Sequence, residues 1–148
     1  MVFCGIAMSG KAKRTEDDNF IQLIGLTVSR FENGTCSTEM QLCRHHLSLA
    51  GRVHGGVLAS MLDTTLGVAV YSALPKGKAC ATLSFNVSFF RPAVAGKLRC
   101  TGRVGNITRQ TAYACGEIHD DAGRLIASAT GTFFVMPSSM DLPKHLVP

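Results

Sequence analysis

The stretch from about Val57 to Leu74 constrains the fold of this chain most. Its residues are apolar or small on every side, the pattern of a helix buried all round rather than one lying on a surface. Gly51 to Gly56 forms a glycine-rich approach to it, and Pro75-Lys76-Gly77 stops it. Such a helix needs something to wrap it, and the rest of the chain reads as strands. Leu26 to Glu32 and Thr35 to Leu42 flank Asn33-Gly34, a two-residue hairpin turn. Thr82 to Phe89 alternates polar and apolar residues without a break, and Arg91-Pro92 ends it. Gly96 to Val104 alternates Lys97, Arg99, Thr101 and Arg103 with Leu98, Cys100, Gly102 and Val104. Gln110 to His119 is a further strand, and Asp120-Asp121-Ala122-Gly123 turns the chain into the last one, Arg124 to Met136. The expected class is α+β, an antiparallel sheet wrapped around one long central helix.

Near the start, Thr15-Glu16-Asp17-Asp18 supplies a cap and acidic residues for a short helix at Phe20, Ile21 and Ile24. Residues 1–14 are expected to form a flexible arm, 15–137 a single domain and 138–148 an irregular tail. One sheet over one helix leaves strand edges exposed, so a homo-oligomer is expected.

Composition narrows the function. Of 148 residues, 46% are hydrophobic and 17% charged, which marks a folded chain rather than a disordered one. The net charge of +5 favours anionic partners. The cations Lys11, Lys13 and Arg14 stand together, but Arg91, Lys97, Arg99, Arg103 and Arg109 are single, so no run or stripe suits nucleic acid. A phosphate-bearing small ligand fits better. Cys4, Cys36, Cys43, Cys80, Cys100 and Cys115 include no C-x-x-C pair, and Cys80, Cys100 and Cys115 read as small buried hydrophobes. No apolar stretch reads as long enough to cross a membrane. Met1 to Met8 precedes its basic residues, the wrong order for a secretory signal. A cytoplasmic location with no membrane partner is the expectation.

Two features carry chemistry. Val53-His54-Gly55-Gly56 opens the helix, where backbone N–H groups are unpaired and glycine lets a ligand come close. A thioester carbonyl at Gly55 would be polarised as in an oxyanion hole; the plain alternative is a tight loop into a helix. Asp63 is the only charge between Leu58 and Val70. A lone carboxylate there costs stability unless paired, wet or functional, and a bond to a nearby strand or to solvent is the alternative. Its helical-face neighbours Gly56, Ser60, Gly67 and Val70 are mostly small, leaving room for a ligand or a partner backbone. Gly55 and Asp63 lie eight positions and so about 12 Å apart along a helix, whereas attack requires about 3 Å. If both act on one carbonyl, they act from two chains.

These residues resemble a known family. The run Gly51-Arg52-Val53-His54-Gly55-Gly56-Val57-Leu58-Ala59-Ser60-Met61-Leu62-Asp63-Thr64-Thr65-Leu66-Gly67 is similar to the signature of phenylacetate-degradation-type (PaaI-like) hotdog-fold acyl-CoA thioesterases. Asn86-Val87-Ser88-Phe89-Phe90-Arg91-Pro92-Ala93 with Gly96 resembles their next strand. Asp121 to Ala127 and Thr130-Gly131-Thr132-Phe133 resemble their last hairpin. The resemblance implies a dimer, often paired into a tetramer, with coenzyme A entering only as part of the substrate and no separate cofactor. It implies Asp63 as nucleophile or general base and the Gly55 amide of the other subunit as oxyanion donor. His54 would hold the loop and substrate, Thr82 would orient water, and Gly56 would lie beside the substrate. The pantetheine arm would follow Asn86, Ser88, Phe90 and Arg91, and Arg91 and Arg109 are candidates for the phosphates.

One position departs from the family, which commonly has asparagine where Ser48 stands. Serine is shorter but can still donate, and His45 and His46 nearby could compensate. A metal held by His45, His46 and His54 lacks supporting spacing, so no metal is expected. A non-catalytic acyl-CoA-binding protein is the alternative that Ser48 keeps open, and a hydroxyacyl-thioester dehydratase would need a differently placed histidine and acid. Core packing is expected to account for most of Phe85, Phe89, Phe90, Phe133 and Phe134, which leaves aryl-acetyl, aryl and medium-chain acyl groups all open.

Overall fold

A computed structural model describes residues 19–138. The expected arm, the residues Thr15 to Asp18, Cys4 and the chain beyond 138 lie outside that range. In chain order the elements are α1 (Phe20–Leu23), β1 (Leu26–Glu32), β2 (Thr35–Gln41), a 3-10 turn (Arg44–His46), α2 (Gly55–Ala73), β3 (Lys78–Phe89), β4 (Lys97–Ile107), β5 (Thr111–His119) and β6 (Leu125–Pro137). The strands form one antiparallel sheet in the order β1-β2-β4-β5-β6-β3. The edges are therefore β1 and β3, and α2 packs against all six strands.

The local signals act as their chemistry dictates. Asn33 and Gly34 both take positive φ, 47° and 83°, which matches the twist of a tight hairpin between β1 and β2. On α2, Met61, Leu62, Leu66 and Val70 are fully buried against Leu98, Ile118, Ile126 and Phe133. Burying each such side chain contributes about 1.5–3 kcal/mol. Gly116 lets the helix come this close: a Cβ there would lie 2.9 Å from the Leu66 side chain and 2.7 Å from the Thr101 carbonyl. The Thr65 hydroxyl donates to the Met61 carbonyl at 2.6 Å and meets the Thr38 hydroxyl at 2.7 Å, so the polar pair buried between α2 and β2 is satisfied.

Several expectations need correction. The cap of α1 is Asn19, whose Oδ1 accepts the Gln22 N–H at 3.2 Å, and not Thr15; a cap must stand directly before the first helical residue. Helix α2 begins at Gly55 rather than Val57, because His54 caps it and the glycines enter the first turn. Leu42 leaves β2 to donate to the Gly96 carbonyl. The α2 helix, 19 residues with a mean hydropathy of 1.3, is in fact long and apolar enough to cross a membrane. One carboxylate hardly lowers its mean, and here the sheet takes up its apolar surface. Of the five phenylalanines, Phe133 is buried and Phe85 half-buried, but Phe89, Phe90 and Phe134 are 54%, 52% and 39% exposed. Phe134 alternates with the buried Phe133 and so faces the other side of β6, while Phe89 ends β3 and Phe90 follows it.

Strand β3 holds the correction that matters most. Its pairing with β6 shifts register between Thr82 and Ser84, a bulge at Leu83. Before the bulge, Cys80 and Thr82 reach α2, through the Gly67 carbonyl at 3.5 Å and Asp63 at 2.8 Å. After it, Phe85 and Val87 pack against the core. Unbroken alternation would have put Thr82 on the outer face with Ser84, Asn86 and Ser88.

Candidate active site

His54 organises one half of the site. Its backbone is extended and its Nδ1 accepts the Gly56 N–H at 2.9 Å, so in this arrangement the ring proton sits on Nε2. The Gly56 amide is thereby occupied, and the Gly55 N–H has no acceptor among the described residues. Two backbone bonds hold the loop, His54 N–H to the His46 carbonyl and Val53 N–H to the Ala93 carbonyl, both at 2.8 Å. Beside them lies an open cleft of about 420 Å³, lined among others by Ser48, Arg52, His54, Gly55, Phe90 and Arg91. The Phe89 ring covers Gly55 closely, with Cζ 3.4 Å from where a Cβ would stand.

Asp63 forms the other half. It is half-buried on α2, and the Thr82 hydroxyl donates to its Oδ1 at 2.8 Å. Among the described residues Thr82 is its only hydrogen-bond donor, which leaves Oδ2 free to act. The Cys80 thiol stands near it, pushed up to about 11 by burial foremost and by the Asp63 charge second, so it is a neutral donor to the Gly67 carbonyl. Asp63 does not line the Gly55 cleft.

The remaining candidates separate. Phe90 and Arg91 lie in the cleft, with Arg91 Nη1 donating to the Leu125 carbonyl at 2.9 Å. Asn86 opens instead onto a smaller depression of about 240 Å³ with Tyr113 and Thr130. Ser88 pairs with Ser128 across the sheet, and Arg109 is exposed in the turn before β5, outside the cleft. Ser48 lines the cleft, and its hydroxyl donates to the Arg52 carbonyl at 2.9 Å. His46 cannot compensate, because it is buried with its Nδ1 accepting the Cys43 N–H and its Nε2 donating to the Ile24 carbonyl. Both ring nitrogens are thus withdrawn from a metal too, and among the described residues no three His, Cys, Asp or Glu side chains converge to hold one. Arg52 and Phe89 are among the cleft residues to which the sequence reading gave no role in the site. The position of Arg52 inside the glycine-rich loop was the available signal.

One antiparallel sheet curled around one long central helix is the hotdog arrangement of thioesterases. Residues 50–127 match the thioesterase superfamily, and the chain belongs to that family as a PaaI-like thioester hydrolase. A phenylacetic acid degradation-related protein from Ralstonia eutropha JMP134 is 33% identical, with 77% of this chain and 87% of that one covered and a TM-score of 0.71. A variant of the phenylacetic acid degradation protein PaaI from Thermus thermophilus is 29% identical, with 79% and 98% covered and a TM-score of 0.72. The medium/long-chain acyl-CoA thioesterase YigI of Salmonella typhimurium is 30% identical over 96 residues, 56% of this chain and 62% of that one.

Proposed function

We propose that this thioesterase hydrolyses acyl-CoA to the free acid and CoA, with Asp63 of one protomer facing the Gly55 amide of another. One observation carries the reading. Each chain holds two separate half-sites, an acid with a free oxygen and a cleft with a free amide, and the acid does not line the cleft. Eight residues of helix keep them about 12 Å apart. Two antiparallel copies of α2 would bring the halves of different chains together, and β3, an edge strand with Leu83 and Phe89 exposed, offers a surface for such pairing. A relative named for acyl-CoA supports the choice of substrate.

The chemistry has two routes. In the direct one, an Asp63 oxygen bonds to the carbonyl carbon and the carbonyl oxygen takes up charge at the Gly55 N–H. Collapse breaks the C–S bond and releases the CoA thiolate, and water then hydrolyses the anhydride. In the other route Asp63 takes a proton from the attacking water. In both, Thr82 fixes Oδ1 and so aims Oδ2. The test is a panel of acyl-CoA esters with a thiol-detecting readout on wild type and Asp63→Ala. Turnover by wild type and its loss in a folded, oligomeric variant is the expected result. Unchanged turnover in the variant, or a strictly monomeric active protein, overturns the reading. Oxygen from labelled water in the Asp63 carboxylate after a single turnover marks the direct route.

A further inference from the structure

We propose that Arg52 is the residue by which this cleft selects thioesters carried on a phosphorylated thiol, and that Ser48 positions it. The proposal rests on the acyl-CoA reading and adds a specificity residue to it. The lining of the cleft contains Arg52, Arg91, His54 and the start of α2, and no acid. Its charge is therefore of one sign, the field that concentrates an anionic ligand. The two arginines differ in freedom. Arg91 spends Nη1 on the Leu125 carbonyl, whereas the exposed Arg52 side chain has no hydrogen bond or ion pair among the described residues.

The backbone of Arg52 is nonetheless held firmly. Ser48 donates to the Arg52 carbonyl twice, from its N–H at 2.7 Å and its hydroxyl at 2.9 Å. Gly51, at a φ of +71°, returns its N–H to the Ser48 carbonyl at 2.9 Å, and a Leu47–Val53 bridge closes the loop below. A free cation on a fixed backbone is the arrangement that reads a ligand's charge without first breaking an internal pair.

Arg52 is an exposed part of the cleft lining, three residues before Gly55, and in this assignment its guanidinium addresses the carrier and not the reacting carbonyl. A contact made alike in ground and transition states changes KM rather than kcat.

The experiment compares one acyl group on CoA and on N-acetylcysteamine, a thiol without phosphate. Arg52→Ala should raise KM for the CoA ester roughly five- to tenfold with kcat within about twofold, as suits one exposed charge contact. The N-acetylcysteamine ester should change far less, by under about twofold in kcat/KM. Arg52→Lys should keep most of the preference for CoA, and added salt should erode it in wild type. Ser48→Ala, which keeps the N–H bond, should shift KM the same way by a smaller factor. Equal effects on both esters, an effect on neither, or a loss in kcat would overturn the assignment. If wild type hydrolyses neither ester, the acyl-CoA reading has failed by itself. Calorimetric binding of CoA then decides on Arg52: weaker binding to Arg52→Ala supports its role, and equal binding removes it.

Discussion

Two aspartates show how differently one side chain can be used in this molecule. Asp120, in the turn between β5 and β6, is buried and saturated: Oδ1 accepts the Ala122 and Arg124 N–H groups at 3.0 and 2.9 Å, and Oδ2 meets the Arg124 guanidinium at 2.7 Å. The Arg124 hydrogen bond foremost holds its carboxyl below the usual range. Asp63, on α2, has one donor, Thr82, and an oxygen left over. The first carboxylate is spent on closing a turn. The second is held by one oxygen, and the other has no donor among the described residues, the difference on which the proposed role of Asp63 rests.

That contrast can be broken by experiment. Asp63→Asn should lower kcat/KM by about 10²–10⁴-fold, because an amide is neither base nor nucleophile, with little change in melting temperature. Asp120→Asn should do the reverse, keeping turnover but lowering the melting temperature by about 2–4 °C. The pH dependence of the two should also separate. Because the Asp120 carboxyl is held low in the folded state, the stability it lends is complete above the ordinary carboxylate range and is lost as pH falls below that range through the lowered folded value. Asp120→Asn should therefore flatten the acid limb of a stability–pH curve, and an unchanged limb would contradict its structural role.

Thr82→Val should cost roughly tenfold in kcat by releasing Oδ1, with Thr82→Ser recovering most of it, as one positioning hydrogen bond implies. Failure of serine to rescue would show that the methyl packing and not the hydroxyl matters. The smallest effect concerns Cys80. Its thiol is pushed up to about 11 by burial and then by the Asp63 charge, so Asp63→Asn should speed its alkylation a few-fold. Cys36 and Cys100, which burial foremost pushes up to about 12, should stay inert in the same variant. Unchanged labelling of Cys80 would mean that the Asp63 charge does not reach it.

Much of this arrangement was legible in the chain. The apolar stretch, its glycine entry and proline stop foretold α2 to within two residues, and Asn33-Gly34 foretold the first hairpin. Asp63 stood out because a lone carboxylate in an apolar helix needs a reason. Thr82 was reached only through resemblance, and the regular alternation around it pointed to the wrong face. The bond from the Ser48 hydroxyl to the Arg52 carbonyl could not be read from spacing, since it depends on how the loop folds back.

The sequence alone therefore determined which helix would be buried, where the chain would turn and which acid lacked a neighbour of opposite charge. Those follow from periodicity, turn chemistry and the cost of burying charge, all local quantities. Only the tertiary structure decided that a bulge against β6 turns Thr82 toward Asp63, and that His46 spends its Nε2 on the Ile24 carbonyl. Strand register and hydrogen-bond partnership arise between segments far apart in the chain, so spacing along it does not encode them.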